Sequence, residues 1–456
     1  MIDDVMDEAE EGLNSRRVTA ILEAVEVGDA PRLTQLLEPL HAADVADLLE
    51  QINGADRRAL LALWSGEIDG DILSEISDAI REEVIEGLPP EVLAEAVRDL
   101  DTDDVVDILE DLEEPAQAVI LSALTSDDRL AVEKAMSYPE YSAGRLMQRE
   151  VVVAPVDWTV GAMIDHLRTA DWLPEQFYHV ILVDPAMKPV NHVTLGRLLS
   201  SRRDVALRDI VEDSFRSIKA TEPEADVAYL FNHYHLISCA VVDAGDRLVG
   251  VITIDDAMNV LDEEHQEDML RMAGVDDEAT LADTVWEATK GRALWLFVNL
   301  LTAILASMVI DMFAQTISQM VALAVLMPIV ASMGGNAGTQ TMTVAVRALA
   351  TRDLTAQNAG RVIRREIAVG AINGVTFGLI MAGVTVFWFQ VPVLALVIAL
   401  AMTLTMVAAA LGGIVIPMTL ERFNIDPALA SGPFVTTVTD VVGFFAFLGL
   451  ASWMLL

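Results

Sequence analysis

A chain of 456 residues is too long for one compact core, and 53% hydrophobic residues rarely occur in a globular domain of net charge −41. That acidity excludes nucleic acid as a partner, because phosphates require basic surfaces. The single cysteine, Cys239, excludes intrachain disulfides and Cys-based zinc sites.

The two properties separate along the chain. From Gly291 onward there are seven Lys and Arg and six Asp and Glu; residues 1–290 hold the other 22 basic and 64 acidic residues. An acidic water-soluble body of net charge −42 is therefore joined to a nearly neutral apolar one of +1.

The start, Met1-Ile2-Asp3-Asp4, is acidic and lacks a basic n-region and an apolar h-region. No cleavable signal peptide is expected, and residues 1–14 read as a flexible N-terminus. Residues 15–135 read as short amphipathic helices. Asp44-Val-Ala-Asp47-Leu-Leu-Glu50 recurs sixty residues on as Asp104-Val-Val-Asp107-Ile-Leu-Glu110, and Pro89-Pro90-Glu91 reads as a helix start. This pattern predicts a helical-repeat stack with an acidic outer face.

A second repeat lies in 146–262. Val183-Asp184 recurs as Val242-Asp243 and Thr194 as Thr253, both 59 residues on. Each copy reads apolar strand, Val-Asp, turn, apolar strand ending in Thr, then helix: Val180–Asp184 with Asn191–Leu199, and Cys239–Asp243 with Leu248–Val260. The first copy has extra residues around Asp171–Gln176. The pattern resembles a tandem pair of cystathionine-β-synthase (CBS) domains, here 136–208 and 209–262. The resemblance implies an α+β fold, a regulatory role, dimerisation, and an adenine nucleotide such as ATP as a ligand.

A connector, about 256–290 and assigned as a helix over 263–290, leads to the apolar part. It packs Asp262, Glu263, Glu264, Glu267 and Asp268 together. Glu263/Glu267 and Glu264/Asp268 are like-charge i,i+4 pairs, which destabilise a helix. A divalent cation between them would reverse that sign; a solvated acidic face, or general acid enrichment as in salt-adapted proteins, is the other reading.

Five apolar stretches follow, at 293–313, 317–345, 366–389, 393–420 and 428–455. Each is near the ~20 residues needed to cross a bilayer. The loop after the second holds Arg347, Arg352, Arg361, Arg364 and Arg365; Lys290 and Arg292 precede the first, and Arg422 follows the fourth. All fall on one side if the N-terminus is cytoplasmic. Five spans then put Leu456 outside. The expected location is the cell (inner) membrane.

Two stretches within the spans carry unusual chemistry. In Pro328-Ile-Val-Ala-Ser-Met-Gly334-Gly335-Asn336-Ala-Gly338-Thr-Gln340, proline and three glycines are expected to loosen the helix and free backbone carbonyls for a water-filled path. Asn336 and Gln340 share a helical face and offer neutral oxygens. Close helix packing through small residues is the alternative. In Asp426-Pro427-…-Gly432-Pro433-Phe-Val-Thr436-Thr437-Val-Thr439-Asp440, the acid lies mid-span with no basic residue in the same span. An intramembrane carboxylate is a functional candidate by default. Thr436 and Thr437 add hydroxyls on its face, giving an all-oxygen setting suited to a hard cation such as Mg²⁺ or Ca²⁺. A protonated structural Asp or a proton relay is the alternative. One carboxylate is a thin site for a divalent ion, and a homodimer with the pore on its two-fold axis would supply two.

Acidic helical domain, CBS pair, acidic connector and five spans, in this order, resemble the MgtE family of magnesium channels over essentially the whole chain. The two intramembrane motifs are the most specific part of the match. The resemblance implies a homodimer in the bilayer and a central pore. It implies Asp440, with Thr436, Asn336, Gly335 and Gln340, at the hydrated ion. It also implies closure by cytosolic Mg²⁺ bound to acids of the helical domain, second CBS domain and connector. By position these are Asp103, Asp107, Asp226, Asp256, Glu264, Glu267 and Asp268. Asn259 stands where the family commonly has an acid, and His235 likewise replaces one.

The reading is a multi-domain α-helical membrane protein that admits Mg²⁺ passively, since no nucleotide-hydrolysis motif is present. It is not expected to be an enzyme. A proton- or ion-coupled secondary divalent-metal transporter predicts flux that depends on a pH gradient. A membrane-anchored metal or nucleotide receptor predicts none.

Overall fold

A computed structural model describes residues 12–64, 68–98, 100–110, 112, 114–170, 172–174, 176–276, 279 and 284–455. The expected flexible stretch lies mostly outside them, as do Asp171 and Glu175 of the first copy's extra segment. The chain forms two compact units, Met1–Asp262 and Glu263–Leu456.

The first unit begins with ten helices among the described residues: α1 Ser15–Val27, α2 Ala30–Leu37, α3 Ala42–Gln51, α4 Gly54–Trp64, α5 Gly70–Glu75, α6 Asp78–Gly87, α7 Pro90–Ala96, α8 Thr102–Glu110, α9 Glu114–Ala123 and α10 Ser126–Ala135. Local signals set their ends. The Asn14 side chain accepts the Arg16 and Arg17 N–H groups at the start of α1, and Gly28, at φ +72°, stops it in the left-handed conformation that glycine tolerates. His41 and Asp44 form a capping box on α3.

The sixty-residue repeat is structural. Val45, Leu48 and Leu49 of α3 and Val105, Ile108 and Leu109 of α8 are buried at equivalent positions of one core, while Asp47, Glu50, Asp107 and Glu110 face outward and Asp44 and Asp104 are half-buried. Two buried arginines stitch the stack. Arg57 donates to the carbonyls of Leu49 and Ile52 and pairs with Glu83; Arg81 donates to the carbonyl of Ile76 and pairs with Asp107 at 2.9 Å.

Two three-stranded sheets follow. The first orders β1 (Val153–Pro155), β2 (His179–Val183) and β3 (Pro189–Thr194), and the second β4 (Ser217–Lys219), β5 (Ser238–Val242) and β6 (Leu248–Thr253). In each, the first pair is parallel and the second antiparallel. The registers superpose under the 59-residue shift: His179 opposes Thr194 as Ser238 opposes Thr253, and both hairpins are irregular at the same step. The recurring Asp explains itself here. Asp184 accepts the N–H groups of Ala186 and Lys188, and Asp243 those of Gly245 and Arg247, so each carboxylate shapes its hairpin turn. Helices α11 (Val160–Thr169), α12 (Leu195–Ser200) and α13 (Glu224–Tyr234) cover the sheets. The next helix, α14 (Ile254–Met272), starts on Thr253 and runs across the unit boundary.

The connector differs from the expected helix over 263–290. Helix α14 ends at Met272, where Gly274 takes φ +71°, and Val285–Lys290 already belong to the next helix. Thr284 and Glu287 form the capping box that starts it. Residues 277, 278 and 280–283 lie outside the described residues.

The second unit holds five helices long and apolar enough to cross a membrane: α15 Val285–Asp311, α17 Ala322–Ala350, α18 Ala359–Phe389, α19 Pro392–Arg422 and α20 Pro427–Leu455. A short helix, α16 (Ala314–Gln319), separates the first two, so the second span begins at Ala322 rather than at residue 317. The arginine-rich loop is also shorter than expected: Arg347 lies in the last turn of α17, and Arg361, Arg364 and Arg365 already lie in α18. α19 is the most enclosed of the five and α15 the least. α18 meets α19 through glycines spaced by four, because a Cβ on Gly370, Gly374 or Gly378 would lie 2.7 Å from the α19 backbone.

Candidate ion path and acidic clusters

The geometry of α17 and α20 follows from small residues. α17 stays helical through Pro328 and all three glycines, so the expected loosening is absent. Instead, a Cβ on Gly334 would lie 2.5 Å from Thr405, and one on Gly338 2.7 Å from Val435 and 3.1 Å from Thr439. A Cβ on Gly413 of α19 would lie 2.7 Å from the Gly338 carbonyl. These two α17 glycines serve packing. Gly335 has open space, and Asn336 and Gln340 are exposed. The motif thus splits between its two readings: Gly334 and Gly338 on a packed face, Gly335 and the amides off it.

The same contacts set the rotation of α20. Val435, Thr439 and Gly443 point at α17 and α19. A residue step turns a helix by about 100°, so Thr436 and Asp440 share the adjoining face. Thr436 is exposed and Asp440 half-buried. The threonine hydroxyls donate to carbonyls of their own helix: Thr436 to Gly432, Thr437 to Pro433 and Thr439 to Thr436. The exposed Thr436 hydroxyl keeps its lone pairs free for an ion, whereas Thr439 is buried on the packed face. Pro433 withdraws the N–H that would have bonded the Leu429 carbonyl. Among the described residues no lysine or arginine pairs with Asp440, and no hydrogen bond joins it to Asn336 or Gln340. Those amides lie roughly 160° around α17 from the packed glycines. Within one chain the five predicted pore residues therefore do not form one closed site.

The acidic residues of the first unit form a tighter group. Asp103 is only 8% exposed on α8, its carboxylate accepting the Asp104 N–H. Burial pushes its carboxyl well above the usual range, and Asp256 on α14 and Asp104 push in the same direction. Burial, then Asp256, raises Asp104 to about 7. Burial raises Asp256 to about 6, against the opposing hydrogen bond from the Thr253 hydroxyl at 2.7 Å. The start of α8 is capped from outside its own domain: Glu150 accepts the Thr102 N–H and hydroxyl.

Of the predicted cytosolic ligands, then, Asp103 and Asp256 come together. Asp107 sits on the same helix and is paired with Arg81. Asp226 occupies the first turn of α13, and Asn259 is exposed on α14 one turn beyond Asp256. Asp104 belongs to the cluster and escaped the sequence reading, although it opens the repeated Asp-Val-Val-Asp motif.

In the second unit, Glu264, Glu267 and Asp268 gather on α14 with Asp426, just before α20. Burial raises Glu264 and Asp268, and their acidic neighbours add to it. Arg271, also missed, lies among them: it pairs with Glu267 at 2.8 Å and Asp426 at 3.1 Å. Among the described residues no three His, Cys, Asp or Glu side chains are arranged to hold a metal ion. The acids form electronegative clusters rather than a closed cage.

A cleft between the two sheets is lined by Gln148, Glu150, Tyr178, His179, Ser238 and Thr253, among others. His179 Nδ1 lies 2.5 Å from Ser238 Oγ, joining the two positions that the 59-residue repeat makes equivalent. Burial, then His192, lowers the His179 imidazole to about 4.

Family models match three parts of the chain: MgtE, a divalent cation transporter, over residues 327–450; the MgtE intracellular N domain over 40–141; and a CBS domain over 205–263. A protein of Thermus thermophilus named "Magnesium transporter MgtE" is 32% identical over 333 residues, covering 72% of this chain and 73% of its own. One of the same name from Enterococcus faecalis is 31% identical over 327 residues, covering 72% of each chain. A crystal structure titled as the cytosolic domain of the Mg²⁺ channel MgtE in complex with ATP is similar over 53% of this chain and 99% of its own, at 28% identity and a TM-score of 0.49. With the membrane helices, the N-terminal domain and the CBS fold all matched, and two relatives above 30% identity over most of their length, the chain belongs to the MgtE family.

Proposed function

We propose that the protein conducts Mg²⁺ into the cytosol as a homodimer, with the path on the two-fold axis and Asp440 as its carboxylate. The observation that carries this reading is Asp440 itself: a half-buried acid in the middle of an apolar helix, next to the Thr436 face, with no basic partner among the described residues. An ion path explains that cost; a purely structural helix does not need it. Two copies supply the two negative charges that balance one divalent ion, and Mg²⁺ would retain most of its waters there. Asn336, Gln340 and Gly335 lie off the packed face of α17, where a second copy can meet them. The names of the relatives support Mg²⁺ as the ion.

Flow is inward and passive in this reading. An inside-negative potential of 100 mV favours entry of two charges by about 4.6 kcal/mol. The N-terminus is cytoplasmic and Leu456 outside, so that the arginines at the end of α17, the start of α18 and the turn joining them face the cytosol. The functional division is 1–14, 15–135, 136–208, 209–262, 263–290 and 291–456.

Cytosolic Mg²⁺ closes the path through Asp103, Asp107, Asp226, Asp256, Asn259, Glu264, Glu267 and Asp268. The clustering of Asp103 with Asp256, and of Glu264, Glu267 and Asp268, supports this, because a divalent ion relieves the repulsion that keeps such groups apart. The cleft at His179 and Ser238 is the place for an adenine nucleotide.

The test is Mg²⁺ uptake into liposomes at an inside-negative potential with no pH gradient. The native chain should admit Mg²⁺ and Asp440→Ala should not. Equal uptake by both removes Asp440 from the path. Uptake that requires a pH gradient replaces the channel with a proton-coupled transporter.

A further inference from the structure

In the orientation proposed above, the outer surface of the membrane unit is almost free of charge. Residues 311–321, 389–392 and 450–456, at or beyond the outer helix ends, hold a single charged side chain, Asp311. No lysine or arginine occurs between Arg292 and Arg347 to neutralise it. Asp311 is exposed and closes α15 as its last residue. This is the wrong end of a helix for an acid, because the unpaired carbonyls of the last turn form its negative pole. Helix stability therefore does not account for Asp311, while the same carbonyls and carboxylate together suit a cation.

Packing sets this acid beside the helix that carries Asp440. α15 packs along α20. Two residues after Asp311, the Phe313 ring meets Phe445 of α20 edge-on with centroids 5.8 Å apart, and its tip lies 3.9 Å from where a Cβ on Gly449 would stand. Phe445 lies beyond Asp440 by a rise of about 7.5 Å toward the outer end of α20. The turn that bears Asp311 is thus pinned on the outward side of the intramembrane carboxylate. There Ser307, Ile310, Asp311, Ala314, Ile317 and Ser318 line an open recess of about 410 Å³. Roughly six waters at about 30 Å³ each fill less than half of it, so a divalent ion fits with its hydration shell intact. The exposed Ser307 and Ser318 donate to the carbonyls of Ala303 and Gln315, which leaves their lone pairs for the water shell.

We propose that the recess at Asp311 is an outer docking site for a hydrated divalent cation, which it gathers from dilute solution before the ion enters the path. The inference rests on the reading of Asp440 as the pore carboxylate and of the N-terminus as cytoplasmic. The site is weak by construction: one carboxylate, two hydroxyls and a helix end hold the ion through its waters, so it is captured and released without dehydration. A homodimer carries two such acids on an otherwise neutral outer face, and their field raises the local concentration of cations there.

The experiment uses the full chain in lipid nanodiscs with a nitroxide on Met312→Cys; Met312 is 73% exposed, and the native Cys239 is buried. Mn²⁺, a paramagnetic ion that shares the preference of Mg²⁺ for oxygen ligands, broadens the nitroxide signal, and added Mg²⁺ reverses it. Asp311→Asn raises the Mn²⁺ needed by about fivefold, the scale of one carboxylate acting on a divalent ion through a water layer at 0.1 M salt. Asp311→Glu, which keeps the charge, broadens as the native residue does. In liposomes at an inside-negative potential, Asp311→Asn raises the half-saturating external Mg²⁺ by a similar factor, and the deficit closes at saturating Mg²⁺. The proposal is overturned if Asp311→Asn broadens at the native Mn²⁺ concentration. It is also overturned if Asp311→Asn lowers uptake equally at every external Mg²⁺ concentration, the mark of a structural role. Uptake by Asp440→Ala is read separately: if that variant conducts, the pore reading fails while Mn²⁺ broadening still decides whether Asp311 holds a cation.

Discussion

At the scale of single residues, one cluster makes a pH prediction. Asp104 and Asp256 are held up at about 7 and about 6, and burial beside them holds the Asp103 carboxyl well above the usual carboxylate range. An acid whose carboxyl is raised in the folded state keeps its proton there while the unfolded chain loses it. Folding then weakens as pH rises from about 4 through the raised values of these carboxyls. Mg²⁺ binds the ionised form, so its stabilising effect runs the other way. Thermal unfolding of the full chain should show a Mg²⁺-dependent rise in midpoint at pH 8 that fades below pH 6. A Mg²⁺ effect of equal size at pH 5 would remove this cluster from the sensor.

Arg57 makes a second prediction at this scale. It is 5% exposed and satisfies two carbonyls and Glu83. Arg57→Ala strands all three, which should cost about 3 kcal/mol in the helical stack by denaturant unfolding. A change below about 0.5 kcal/mol, typical of a surface site, would contradict the role given to it.

At the scale of elements, the glycines of α17 separate by face. Gly334→Val and Gly338→Val force side chains into space held by Thr405 and Val435 and should abolish folded protein in detergent. Gly335→Ala meets nothing within 4 Å and should leave the fold unchanged. If all three behave alike in size-exclusion profiles, the α17 packing described above is wrong. The repeats were legible because they rest on short-range chemistry. Asp184 and Asp243 bond to nitrogens two and four residues away, so the Val-Asp signal survives in any surroundings. The glycine motif was less legible, since a sequence cannot say which glycine faces a neighbouring helix. The connector was misjudged for a different reason: Gly274, with Arg271 in the turn before it, is a legible helix stop that the reading of one helix over 263–290 passed over.

At the scale of the whole molecule, the division into a −42 part and a +1 part dominates. Charge of that size is self-repelling, and screening lengths of about 10 Å at 0.1 M salt relieve it only partly. Limited proteolysis of the full chain should therefore slow more in Mg²⁺ than in NaCl at matched ionic strength. Equal protection by both salts would point to general screening rather than to bound ions.

The sequence by itself determined the order of parts, the five apolar spans, the acid in mid-span and the family, because hydropathy, charge and short motifs are properties of the chain alone. Tertiary structure decided the rest. It brought Asp103 and Asp104 to Asp256, about 150 residues distant along a chain whose loops close at small entropic cost. It placed Arg271 between Glu267 and Asp426, a contact across 155 residues. It turned Gly334 and Gly338 toward their neighbours and left Thr436 and Asp440 on the adjoining face of α20. These outcomes depend on which side chains of distant segments fill the same space, and packing, not local preference, selects them.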